Sequence, residues 1–290
     1  MIMKQGRISI ARTMVGMFIC MTLGLFACLP DPLDVSGIPK VKPEIVVSSQ
    51  ITSDESLVVF LTRTFSALDA SDDSDPETVW NAIAVNDAVV TITHNGVTDT
   101  LIRLAPGTYG GTPINFESGV RYTLRAESPT LGMVTASTEV KPRIAFDDLV
   151  AELYFDGFND TLAQISYRID DPVEKNWYMV NVLDINREDL QRNLLNPRDF
   201  TRLLNDDEFN GIKYTETFRV FPREFSAGDT IAVYLSNISE EYYRYMETRL
   251  ENRFGLFEFV SEPVNYSTNV IGGRGFFNLY IPDIHFIILE

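Results

Sequence analysis

A succession of short apolar, β-branched runs separated by turn signals constrains the fold of this chain more than any other feature. In the first half the runs are Glu44 to Ile51, Ser56 to Arg63, Ala88 to His94, Thr98 to Leu104, Arg121 to Ser128 and Met133 to Val140. Several alternate strictly. Val90, Ile92 and His94 fall on one face against Val89, Thr91 and Thr93 on the other, which is the period of a strand with one buried side. Asn95-Gly96, Pro106-Gly107 and Ser118-Gly119 punctuate them, and such pairs supply the backbone angles of tight turns. Short strands at this spacing predict a β-sandwich over residues 43–142.

The pattern resumes after Pro142. Strands are expected at Asp147 to Phe155, Leu162 to Ile169, Trp177 to Leu183, Thr215 to Val220 and Thr230 to Leu235. Arg187 to Leu204 carries Leu190 and Leu194 at helical spacing until Pro197 interrupts it, which predicts one or two helical turns on the rim. A longer helix is expected over Ser239 to Phe254. Ser239 can accept from the first-turn amides, Glu240 and Glu241 suit the positive end, and Gly255 can supply a left-handed stop. Tyr243, Met246 and Leu250 would form its buried stripe, with Arg244, Glu247, Arg249, Glu251 and Arg253 mostly towards solvent. The fold class is therefore mainly β, with two tandem sandwich-like domains, 43–142 and 143–290, the second carrying the helix.

The N-terminus carries Lys4, Arg7 and Arg12 with no acidic residue, and then a nearly unbroken apolar run from Met14 to Phe26. About 13 residues is the length of a signal h-region, whereas a spanning helix needs about 20. Leu25-Phe26-Ala27-Cys28 closes the run and resembles the lipobox at which bacterial lipoproteins are cut, so residues 1–27 are expected to be a signal peptide and Cys28 the site of lipid attachment. The other cysteine, Cys20, lies inside the apolar run. Removal of the leader would leave Cys28 alone, with no intramolecular disulfide available. Residues 28–42, rich in proline, read as an extended tether.

Charge excludes one class of partner. The formal net charge is −17 over 290 residues, and losing the three basic residues of the leader makes it more negative still. Such a surface repels nucleic acid and anionic headgroups, so no nucleic-acid partner is expected.

Chemistry-bearing motifs are sparse. There is no G-x-S-x-G and no H-E-x-x-H, and the two histidines, His94 and His285, fall at a hairpin and in the last strand. Asp69 to Pro76 offers several carboxylates but lacks the glycine and the closing bidentate Glu of an EF-hand loop, and reads as a solvated acidic loop. No metal or cofactor is expected. Gly272-Gly273-Arg274-Gly275 lacks both the strand-turn-helix setting and the lysine of a phosphate loop. Three glycines in four residues say instead that backbone must bend there, or approach something closely.

Val85 to Val140, with its Gly107-x-Tyr109 corner and Gly119-x-x-Tyr122-x-Leu124 strand, resembles the transthyretin-like or Ig-like modules of Bacteroidetes envelope proteins. Several motifs taken together carry a wider resemblance. They are Asp171-Pro172…Asn176-Trp177-Tyr178, Phe209-Asn210-Gly211, Ile238-Ser239-x-Glu241-Tyr242-Tyr243-x-Tyr245, Ser261-Glu262-Pro263-Val264 and Thr268-Asn269-Val270-Ile271-Gly272-Gly273-Arg274-Gly275-Phe276. With them the chain resembles the Bacteroidetes lipoprotein family catalogued as domain of unknown function 4249, which usually has a small residue where Phe277 stands. The resemblance implies an outer-membrane lipoprotein, often encoded beside TonB-dependent transporters, with no catalytic residues to carry over. The expected role is a binding or accessory component held to the membrane through Cys28, with an outer-membrane transporter as partner and an unassigned ligand. The alternatives are an envelope glycan-active hydrolase, for which paired carboxylates suffice, and a structural or adhesive surface protein.

Overall fold

A computed structural model of the chain describes residues 42–52, 55–64, 76–155, 157, 161–185, 200–220, 224–251 and 266–290. The lipobox, the tether before Lys42, the acidic stretch 69–75, the leucine-spaced stretch 187–199 and Ser261 to Val264 lie outside the described residues. The protein is mainly β, as the alternation predicts.

The first sheet takes in β1 (Ile45–Ile51), β2 (Leu57–Arg63), β3 (Val89–His94), β4 (Val97–Ala105), β5 (Thr108–Gly110), β6 (Arg121–Ser128) and β7 (Gly132–Glu139). Two late strands complete it, β14 (Val270–Ile271) and β15 (Arg274–Phe276). The spatial order is β14-β7-β6-β3-β4-β5-β2-β1-β15. The strands at its two edges are consecutive in the chain, joined by Gly272-Gly273, so the sheet nearly closes on itself. β4 turns the opposite corner through an irregularity between Arg103 and Ala105, as a bulge bends a strand. At the β3–β4 hairpin Asn95 and Gly96 have φ of 46° and 78°, the angles of a type I′ turn.

Val90, Ile92, Tyr122, Leu124, Val47 and Phe277 fill the interior of this sheet. Phe277 is wholly buried, so the bulky residue at this family position is core. The tyrosines of the two corners are buried and tied down. Tyr109 donates to the Val85 carbonyl at 2.9 Å, and Tyr122 donates to the Asn115 carbonyl at 3.1 Å while accepting from the Glu117 amide at 2.9 Å.

The second layer pair is a sandwich. Its three-stranded sheet, β12-β9-β8, comes from β8 (Phe146–Phe155), β9 (Thr161–Asp170) and β12 (Lys213–Val220). The facing sheet, β11-β10-β13-β16, comes from β10 (Trp177–Asp184), β11 (Thr201–Asn205), β13 (Thr230–Ile238) and β16 (Asp283–Ile288). Ile165, Tyr167, Val180, Val182, Val233 and Leu235 pack between them. The chain passes from first sheet to second near Pro142 and later returns to close the first, so Lys42–Glu290 is one compact unit.

Three elements differ from the sequence pattern. Phe200 to Leu204, expected as the end of a helical stretch, runs into β11, because Thr201 to Asn205 pair with Trp177 to Asn181 of β10. A short helix, α1 (Pro76–Ile83), is too brief to show a helical period. It lays Trp80 edge-on against Phe60, with ring centroids 6.0 Å apart, and the Trp80 indole donates to the Pro106 carbonyl at 2.9 Å. The long helix, α2 (Glu240–Glu251), buries Tyr242 and Met246; of the expected Tyr243, Met246 and Leu250, Met246 is buried and the other two are only partly so. The expected cap is present, with the Tyr242 amide donating to Ser239 Oγ at 3.2 Å.

Candidate functional site

The glycine motif is a seam. A Cβ on Gly273 would stand 2.4 Å from the Ile45 carbonyl oxygen, and one on Gly275 would stand 2.0 Å from that of Val47. Both expectations for this stretch, a bend and a close approach, hold at once. Asn269 pins the segment, its side chain accepting from the Phe277 amide at 2.9 Å and donating to the Phe277 carbonyl at 2.7 Å. Ser49 Oγ does the same for Asn278, donating to its carbonyl at 2.7 Å and accepting from its amide at 2.9 Å. These motif residues hold backbone together and present no reactive group.

The earlier motifs form a buried polar knot. Asp171 accepts from the Tyr178 hydroxyl and, at 2.8 Å, from the Gly211 amide. Asp206, wholly buried, accepts from the Asn176 amide at 2.5 Å and pairs with Lys175 at 2.5 Å. Asn237 donates to Asn176 at 2.8 Å and to the Pro142 carbonyl at 3.2 Å. The knot thus fastens β10 and β13 to the point where the chain leaves the first sheet.

The histidines do not come together. His94 stacks on Tyr122 and meets Asp99 at 3.1 Å. His285 donates to Asp283 at 3.0 Å, where Arg143 at 2.7 Å and the Phe146 amide at 2.9 Å also converge. Burial alone would raise the Asp283 carboxyl, but the Phe146 amide, Arg143 and His285 outweigh it and hold the group below the ordinary carboxylate range. A depressed folded value means stability that is present above about pH 4 and lost as pH falls through the folded value. Urea unfolding between pH 7 and pH 3 should show this loss, and Asp283→Asn should be less stable at pH 7 with a shallower decline. An unchanged slope in the variant would exclude Asp283 as a source.

A cleft lies between α2, β1 and the outer face of the β10-containing sheet. α2 contributes Tyr242, Met246 and Arg249, which lie along one helical face. β10 contributes Met179, Asn181 and Leu183, alternate residues on one side of a strand. Asn181 sits opposite Thr201 on one neighbour and opposite Tyr234 on the other, and donates to Thr201 Oγ1 at 2.9 Å. Ser48, Gln50 and Tyr280 complete the wall around about 650 Å³ of space open to solvent. Burial raises the Tyr242 hydroxyl, with nearby Arg249 pulling the other way. Burial likewise pushes Tyr280 up to about 12, against the Ile51 amide. Both phenols are neutral at ordinary pH, which leaves Arg249 as the charged side chain among the described lining residues.

Arg249 was expected towards solvent; it is half-buried at the cleft. Its spacing of seven from Tyr242 would have found it had the helix been phased on Tyr242. Among the described residues no group of three or more His, Cys, Asp or Glu could hold a metal ion.

A family model for a domain of unknown function (DUF4249) matches residues 31–282. The chain belongs to this family. The DUF4249 match spans the seam, the knot and the cleft, so all three are parts of the family domain. No curated protein matches the chain.

Proposed function

We propose that this DUF4249 protein is a lipid-anchored outer-membrane lipoprotein that acts as a binding or accessory component of a TonB-dependent outer-membrane transporter, without enzymatic activity of its own. The observation that carries the reading is the order of the N-terminal sequence. Basic residues, an apolar run too short to span, and Ala27-Cys28 follow one another directly. Acyl chains contribute about 0.8 kcal/mol per buried methylene, and more than one chain is needed for stable anchoring. The family resemblance supplies the transporter, and a cleft assembled from separate elements suits binding.

The test is fractionation and capture from the native envelope. Wild-type protein should partition with the outer membrane and carry a transporter through gentle detergent extraction. Cys28→Ser should leave the membrane fraction. A Cys28→Ser variant that stays membrane-bound would remove the anchor, and a wild type extracted as a partner-free monomer would remove the accessory role.

A further inference from the structure

The edges of the sheets differ in how they are protected. A free strand edge is a template for pairing with another chain, and such edges are blunted by shortness, by charge or by a bulge. In the first sheet the edge strands β14 and β15 are two and three residues long. In the sandwich, β8 carries Asp147, Asp148 and Glu152, with a break in register between Phe146 and Asp148. β12 carries Lys213, Glu216 and Arg219, and β11 carries Arg202, which pairs with Glu216. β16 lacks all three devices beyond Asp283 at its start, and that carboxylate is buried and tied to Arg143. It pairs with β13 from Asp283 to Ile288 without a break, and no described strand lies on its other side. Its outer-face row is apolar: Ile284, Phe286 and Ile288, the last two 57% and 62% exposed. The alternate residues turn the other way, Ile287 against the sandwich core and His285 against the Phe146 ring.

We propose that β16 pairs antiparallel with β16 of a second copy of this chain, about a two-fold axis at Phe286, joining two four-stranded sheets into one. The register follows from the side-chain period. A two-fold axis normal to the sheet keeps outer face with outer face, so residues of the outer row can stand opposite only one another. Centred on Phe286, that residue meets its own counterpart, and Ile284 of each copy meets Ile288 of the other. Every outer cross-strand pair is then apolar. Moving the axis to Ile284 or to Ile288 sets Phe286 against Pro282, which has no amide to donate, or against the charged Glu290. The row is thus its own complement, a property that pairing with an unrelated strand would not require. Charge agrees locally, since Ile284 to Leu289 holds no carboxylate in a chain of net charge −17. The two copies still repel at long range, so added salt should strengthen the pair. A single short strand on each side lies below the about 1,200 Å² of a standard interface, which makes the dimer reversible.

The experiment is disulfide trapping of the full chain in its native envelope, with copper phenanthroline as oxidant. Phe286→Cys should shift to twice the chain mass. Val173→Cys, at a position 78% exposed, measures random collision, and the wild type measures the background from Cys20 and Cys28; both should stay at the monomer mass. Ile284→Cys and Ile288→Cys singly should also stay there. Each lies about 14 Å from its own counterpart, beyond the about 7 Å that a disulfide spans. The double variant, which brings the two together across the axis, should be trapped. Without oxidant, sedimentation of the detergent-extracted wild type should show mass rising towards the dimer with concentration and with salt, and Phe286→Lys should remain monomeric. Melting curves matching wild type establish that the variants are folded; should Phe286→Lys fail to fold, Ile288→Lys and the trapping series still decide. Trapping of Phe286→Cys no stronger than of Val173→Cys, equal trapping of Ile284→Cys alone, or a product containing a different protein overturns the proposal. None of these readouts uses transporter capture or the lipid anchor, so failure here leaves the accessory role standing.

Discussion

Gly275→Ala should destabilise the protein by about 3–5 kcal/mol, among the largest effects a single substitution produces. The Cβ would lie 2.0 Å from the Val47 carbonyl oxygen and 2.9 Å from the Val47 nitrogen, all backbone atoms of a paired strand that has no rotamer with which to yield. The φ of 92° adds strain for any residue with a side chain. Two further variants separate the causes. Gly228→Ala has a φ of 95° with nothing within 4 Å, and should cost only the conformational part, about 1–2 kcal/mol. Gly273→Ala meets the Ile45 carbonyl oxygen at 2.4 Å outside the left-handed region, and should show the steric part. Total stability of a domain is about 5–15 kcal/mol, so Gly275→Ala spends a large share of it. Urea unfolding gives the magnitude, and hydrogen exchange gives the place: protection should be lost first at β1 and β7, which flank the seam. A Gly275→Ala protein no less stable than Gly228→Ala would show that the seam relaxes and that closure does not hold the first sheet together.

Asp171→Ala should cost about 2–4 kcal/mol. The carboxylate is 5% exposed and serves two donors, the Tyr178 hydroxyl and the Gly211 amide. Deleting it leaves both unpaired, and each buried orphan costs about 1–3 kcal/mol. The Tyr178 hydroxyl is raised by burial first and by Asp171 next, so it stays a neutral donor across the accessible pH range. Tyr178→Phe removes one donor together with its need for a partner. The double variant should therefore be less destabilised than the two single effects predict, with a coupling of about 0.5–3 kcal/mol. Denaturant unfolding of the four proteins checks this. Additive losses would mean that water replaces the carboxylate and that the knot contributes little to the joint at Pro142.

Much of the fold was legible because strand alternation is a local property. Val90 and Ile92 point inward, Asn95-Gly96 forms the hairpin, and Ser239 caps the helix as their chemistry requires. What was not legible was set by partners distant in sequence. Thr201 to Asn205 is a strand because β10 lies beside it, although leucine spacing upstream suggested helix. α1 forms where Trp80 can cover Phe60, and eight residues carry too little pattern to announce it. On the helix Met246 is buried as expected, but the buried tyrosine beside it is Tyr242 and not Tyr243, because three tyrosines in close succession, Tyr242, Tyr243 and Tyr245, fit more than one face. That slip placed Arg249 in solvent and hid the cleft.

The glycines before Phe276 separate the two kinds of information. By itself the sequence determined that backbone bends or approaches something closely at Gly272, Gly273 and Gly275, since only a missing Cβ explains three such residues together. It likewise determined the mainly β class and membership of the family, both carried by motifs that survive as linear strings. Only the tertiary structure decided what the glycines approach. Gly272 approaches the Met133 carbonyl, and Gly273 and Gly275 approach those of Ile45 and Val47, all more than a hundred positions away, and no local pattern encodes a partner at that distance. The same holds for the cleft, where Gln50, Asn181 and Arg249 share a wall only because the tertiary fold brings β1, β10 and α2 together.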